Sequence, residues 1–204
     1  MSGIWSIGLG YLIGCLSPAT WVSKRKNVDL TKAGTKNLGA TNTAIVLGKK
    51  AGIFVMGFDI LKSFCSYKLA KYLFPQLAIA GILACIGAIL GHCFPITMGF
   101  HGGKGLAAFG GLILAYKPWM FVLIVSVGIL LMNLLNTGVA APIFGCFAFP
   151  ILVWLDSGDL QDVFWVSVAC ILIFSTHWSN LKLALEKKDV VNTRQFMSNV
   201  FGKK

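Results

Sequence analysis

Seven apolar runs, near residues 4–22, 51–73, 77–98, 105–116, 119–135, 140–155 and 163–176, fill most of a chain of 204 residues. A helix needs about 20 apolar residues to cross a hydrocarbon core, and each run reaches or approaches that length. Hydrophobic residues make up 56% of the chain and charged residues 12%, with a mean hydropathy of +0.78, well outside the range of a soluble domain. These runs predict an all-α integral membrane protein, a single domain over residues 1–204 with seven transmembrane helices. The fourth run is short enough to be a half-span packed beside the others. The first is not read as a signal peptide. It lacks basic residues before Ile4 and a small-residue cleavage pattern ahead of Lys24-Arg25-Lys26.

Lysine and arginine set the expected orientation. The segment after the first run carries Lys24, Arg25, Lys26, Lys32, Lys36, Lys49 and Lys50, and the tail carries Lys182, Lys187, Lys188, Arg194, Lys203 and Lys204. Positive charge favours the cytoplasmic side. With seven spans, the amino terminus lies outside and the carboxyl terminus in the cytoplasm, and Lys104 shares the cytoplasmic side. The net charge of +11 then reflects topology and attraction to anionic lipid, with no need for a nucleic-acid partner. The six cysteines show no C-x-x-C pair or His/Cys spacing that suggests zinc, and read as small packing residues. No internal repeat is evident, and a monomer is expected.

On this topology, polar residues gather at one face. The first cluster is Gly34-Thr35-Lys36-Asn37-Leu38-Gly39-Ala40-Thr41-Asn42, the second runs from Gly91-His92 to Gly102-Gly103-Lys104-Gly105, and the third is His177-Trp178-Ser179-Asn180. About 28 residues separate the first two runs, more than a tight turn needs, so that loop is expected to be ordered and functional. In the second cluster, glycine N–H groups, the Lys104 charge and the start of a helix favour an anion. It is not a Walker A loop, because Leu106 follows Gly105 and no strand precedes it.

Each cluster also has a plainer reading. Glycine, asparagine and threonine form turns, a lysine at a helix start snorkels to headgroups, and His92 alone reads as a core histidine. His177 and Asn180 stand three apart and share a helix face if the helix continues. Asp59 and Lys62 have the same spacing inside the second run. An ionisable pair there is a functional candidate by default, and we expect it to play a structural or supporting role.

The strings G-T-K-N-L-G-A-T-N, F-D-I-L-K, G-H-C-F-P-I-T-M-G-F-H-G-G-K-G and H-W-S-N, with the earlier G-C-L-S-P-A, resemble the bacterial acyl-phosphate:glycerol-3-phosphate acyltransferases over nearly the whole chain. That resemblance implies a seven-span enzyme of the bacterial inner membrane whose ordered or re-entrant cytoplasmic loops form the active site. It implies transfer of a fatty acyl group from acyl phosphate to the 1-hydroxyl of glycerol 3-phosphate, giving lysophosphatidic acid for phospholipid synthesis, without a cofactor or metal. His177, Asn180 and Lys104 are the implied catalytic residues. Thr35, Lys36, Asn37, Gly39, Thr41, Asn42, His92, Gly102, Gly103 and Gly105 are the implied substrate-binding residues. The proton acceptor is either the donor's own phosphate, as the family implies, or His177.

The chain departs from the family pattern on the acceptor side. Serine is usual where Thr35 stands, glycine where Lys36 stands, and arginine where Ile45 and Trp178 stand; an arginine often found within 131–137 is also missing. Arginine binds phosphate in a bidentate way that lysine does not reproduce. Lys36 compensates, or the acceptor is a different hydroxyl or amine. A transporter of anionic solutes would place polar groups near the bilayer midplane in repeated halves, which this chain does not do. A lipid-binding homologue without activity is the third alternative.

Overall fold

The computed structural model describes residues 1–186 and contains nine α-helices among them. These are α1 (Ser2–Gly14), α2 (Pro18–Arg25), α3 (Ala40–Leu47), α4 (Lys49–Leu73), α5 (Ala80–Cys93), α6 (Leu106–Tyr116), α7 (Pro118–Leu135), α8 (Ala140–Ser157) and α9 (Leu160–Leu185), with a 3-10 turn at Ile96–Met98. Four stretches are long and apolar enough to cross a membrane: Ala80–Met98, which joins α5 to the 3-10 turn, together with α7, α8 and α9. The protein is an all-helical membrane protein. The tail residues Lys187, Lys188, Arg194, Lys203 and Lys204 lie outside the described residues.

α5 is the axis of the fold. It is apolar on every side, as a helix surrounded by protein must be, and of its residues only Leu90 escapes full burial. α1, α4, α6 and α9 all pack on it. Between α1 and α5 the backbones meet directly: Gly10 and Gly14 lie against Ala84 and Ala88, while Gly87 and Gly91 lie against the backbone of Ile7 and Tyr11. A methyl group at any of these glycines would overlap the opposing backbone. Such small-residue spacing replaces the hydrophobic drive that is absent between helices in lipid. α7 differs. It buries only Met120, Ile124 and Gly128, and turns Val122, Leu123, Ile129, Leu130 and Leu134 outward, a face suited to acyl chains.

The run over 4–22 is not one helix. It breaks at Cys15–Ser17, because Pro18 has no N–H for a preceding carbonyl and Ser17 adopts an extended conformation, its hydroxyl accepting from Thr20 N at 3.3 Å. The run over 163–176 is longer in the structure: α9 begins at Leu160, where the Asp159 carboxylate caps Gln161 N at 2.8 Å, and continues to Leu185. His177 and Asn180 therefore lie on one face of a continuous helix. The fourth run forms the 11 residues of α6, too short to cross alone.

Candidate active site

The loop before α3 is organised by a single buried side chain. Asn42, only 1% exposed, directs Nδ2 to the carbonyls of Leu30 (2.9 Å), Ala33 (3.1 Å) and Asn37 (2.8 Å), and its Oδ1 accepts from Thr35 N at 2.6 Å. Gly34 fits beneath it with φ of +59°, where a side chain would strike Asn42 and Val46. Leu30 and Leu38 pack with Ala19 and Val55 below. At the loop's start, Thr31 hydrogen bonds hold the Asp29 carboxyl below the usual range. Lys36 and Thr41 are exposed, and Asn37 and Gly39 are half-buried. Thr35 and Asn42 thus meet each other, with Asn42 fully engaged in shaping the loop.

The second cluster is pinned to the end of α5. Gly102 N donates to Cys93 O and Gly103 N to His92 O, both at 3.0 Å. The expected N–H cradle therefore does not form at these two glycines, because their donors close the turn. Their value lies in close approach, since Gly102 sits against the His92 carbonyl and Gly103 against the imidazole. The remaining anion-directed donors are at the start of α6. Gly105, with φ of +83°, turns the chain into that helix, whose first N–H to find an intrahelical partner is that of Phe109.

Lys104 precedes that helix start and bridges to α9. Its ammonium donates to Asn180 Oδ1, and its carbonyl accepts from Thr176 Oγ1 at 2.8 Å. One residue beyond Thr176, His177 is buried with Nδ1 2.9 Å from Ile173 O. A carbonyl only accepts, so Nδ1 carries the proton and Nε2 keeps a lone pair. Lys104, His177 and Asn180 are thereby brought together. Trp178 lies on another side of α9, 47% exposed, with Lys182 Nζ 5.5 Å from its ring centre. Ile45 is 40% exposed on α3.

Beneath the glycines lies a narrow polar crevice, too tight to hold a water molecule, lined by Ser17, Leu38, Lys62, His92, Met98, Gly102 and Gly103 among others. Leu38 brings the first loop to the second. Lys62 reaches from α4 to donate to Leu16 O at 2.8 Å, and lies 3.1 Å from His92 Nδ1. Asp59 Oδ1 is 2.7 Å from Lys62 Nζ and 3.3 Å from His92 Nδ1, as ion-pair contacts without aligned hydrogen bonds. The spacing of Asp59 and Lys62 was visible in the sequence. Their meeting with His92, and the contributions of Ser17 and Thr176, depend on helix packing that no motif records.

Residues 4–187 match the family model described as glycerol-3-phosphate acyltransferase. The chain belongs to the glycerol-3-phosphate acyltransferase family. Proteins of that name from Coxiella burnetii (strain Dugway 5J108-111) and Bacillus subtilis (strain 168) are 32% and 33% identical to it, over 89% of this chain and 94% and 93% of theirs. The fold is similar to the crystal structure of PlsY (YgiH), an integral membrane glycerol 3-phosphate acyltransferase, in its glycerol 3-phosphate form. The TM-score is 0.85 at 27% identity, covering 93% of this chain and 94% of that one. The lysophosphatidic acid form gives a TM-score of 0.83 at 26% identity with the same coverage. The resemblance carried by the sequence strings is thus confirmed for the family and for an all-helical membrane fold, while the expected seven spans stand against four long apolar stretches among the described residues.

Proposed function

We propose that this acyltransferase moves a fatty acyl group from acyl phosphate to the 1-hydroxyl of glycerol 3-phosphate, giving lysophosphatidic acid and inorganic phosphate for phospholipid synthesis. The observation that carries this reading is Lys104 held against Asn180 at the start of α6, beside His177, in a fold whose neighbours are described with glycerol 3-phosphate and lysophosphatidic acid. The hydroxyl oxygen bonds to the acyl carbon, and the bond from that carbon to the phosphate oxygen breaks with its electron pair leaving on phosphate. Acyl phosphate is a mixed anhydride with a good leaving group, so alignment and charge neutralisation suffice without a covalent intermediate.

In this reading Lys104 and the α6 N-terminus neutralise the donor phosphate, and Asn180 orients Lys104. The Nε2 lone pair of His177 accepts a hydrogen bond from the attacking hydroxyl and orients it, and the departing phosphate takes the proton. Thr35, Lys36, Asn37, Gly39 and Thr41 face the acceptor on a loop shaped by Asn42. Gly102, Gly103 and Gly105 give the turn its close approach to His92 and its entry into α6. α1, α4, α5, α6, α7, α8 and α9 make seven crossings of a bacterial inner membrane, with the amino terminus outside, the carboxyl terminus in the cytoplasm and the protein acting as a monomer.

Ile45 and Trp178 favour a second reading in which the donor is the same and the acceptor is another hydroxyl or amine. Purified protein in nanodiscs, given acyl phosphate with and without glycerol 3-phosphate, separates the two by phosphate release and mass spectrometry of the acylated product. Release that depends on glycerol 3-phosphate is expected. Release only with other acceptors supports the second reading, and no release with any acceptor overturns both.

A further inference from the structure

The relay beneath the glycines has a direction. Lys62 is a donor only: its ammonium donates to Leu16 O at 2.8 Å and, with Asp59 Oδ1 in ion-pair contact at 2.7 Å, lies 3.1 Å from His92 Nδ1. A proton on Nδ1 would set two donors face to face at that distance. Asp59 is near enough to Nδ1 to compete, at 3.3 Å, but it is not aligned to accept from the ring. The remaining arrangement has Nδ1 accepting from Lys62 and the proton on Nε2. His92 is 9% exposed, and its Nε2 faces Gly103 at the wall of the crevice, without a hydrogen-bond partner among the described residues.

We propose that Asp59 and Lys62 are positioning residues that hold His92 in its Nε2–H form, so that His92 donates a hydrogen bond from the crevice to a phosphate oxygen of a bound substrate. The inference rests on the phosphate-handling function proposed above. Asp59 balances the charge of Lys62, so the donor beneath the turn is neutral and its direction is set before substrate arrives. Lys62 also satisfies the Leu16 carbonyl exposed by the break between α1 and α2, which ties the relay to the frame of the site. A donor fixed in advance needs no reorganisation when the anion binds.

Nitrogen-15 NMR of histidine-labelled protein in nanodiscs reads the ring form directly, with the three histidines assigned by single His→Gln variants. A protonated Nε2 and bare Nδ1 at His92 are expected without substrate, and the reverse pattern overturns the proposal. In turnover assays, His92→Phe raises the KM of one phosphate substrate by about 10-fold, as loss of one hydrogen bond would, and His92→Gln, which keeps an N–H donor, raises the same KM by less. Whether acyl phosphate or glycerol 3-phosphate carries that change identifies the bound phosphate; no change in either overturns the proposal.

Lys62→Met raises the same KM. The pair Asp59→Leu with Lys62→Met removes both charges and guards against a mere folding defect. A folded double variant that keeps the raised KM supports positioning, and one that regains the wild-type KM shows the pair to be structural. A wild-type protein without turnover would defeat the proposed function, while the NMR result would still decide the ring form.

Discussion

His92 and His177 are both buried and both lie near the cytoplasmic ends proposed for their helices, yet their partners put the ring proton on opposite nitrogens. His177 Nδ1 meets a carbonyl of its own helix, a local i to i−4 contact that any turn of helix supplies. His92 Nδ1 meets a lysine from another helix, so its form depends on packing between α4 and α5. One ring therefore offers a lone pair and the other a donor. A single residue type serves two electrostatic purposes, and what separates them is whether the fixing partner is a backbone acceptor or a side-chain donor.

Lys104, which follows the glycine against the His92 ring and bonds to Asn180 on the helix of His177, gives the largest expected effect. Lys104→Ala removes the charge beside the α6 start, and kcat should fall by about 100-fold or more, as for loss of a preorganised anion donor. Near-normal turnover would falsify the account of the turn. Next come two substitutions at the acceptor ring. His177→Phe should cost about 100-fold, whereas His177→Gln, whose amide oxygen still accepts a hydrogen bond, should cost less than about 10-fold. Equal losses in the two variants would make His177 the base and move proton removal away from the phosphate.

Ile45→Arg tests the grip on the acceptor's phosphate from α3, the side of the site away from the His177 ring. It should lower the KM for glycerol 3-phosphate by about 10-fold, the scale of one charge-assisted hydrogen bond. An unchanged KM would mean that Lys36 or another group already holds that phosphate. The smallest effect is expected from Thr176→Val, which deletes the hydroxyl bonded to the Lys104 carbonyl next to His177. A loss of about 5-fold in kcat, with both KM values held, would locate its role in the posture of Lys104.

Much of the scaffold could be read directly. The runs over 119–135 and 140–155 became α7 and α8 with shifts of one or two residues, because uninterrupted apolar helices have only their ends to misplace. The first run misled because hydropathy averages across Ser17-Pro18, where the local backbone signal is a helix start rather than a continuation. α3 was hidden in a stretch rich in threonine and asparagine, and α9 outran its apolar part because helix geometry persists after the residues turn polar. At the site, Lys104, His177 and Asn180 were visible as residue types in strings. The Leu16 carbonyl, the occupied N–H groups of Gly102 and Gly103 and the four-way engagement of Asn42 are backbone facts, and side-chain patterns do not encode them.

The shortness of α6 has a consequence for the surrounding lipid. Its 11 residues rise only about 16 Å, roughly half the thickness of a hydrocarbon core. At its far end, Lys117 pairs with Asp156 at 3.2 Å and Tyr116 donates to Asp162 at 2.9 Å, a polar collar suited to water. Under the seven-crossing topology proposed above, Lys104 and that collar would not both reach the headgroups of an undeformed bilayer, and the membrane would thin locally or the anion site would sit sunken within the leaflet. On that topology the proposed donor, with its long alkyl tail, would meet its partner without climbing out of the bilayer, and catalytic output would become a function of the chain length of the host lipid.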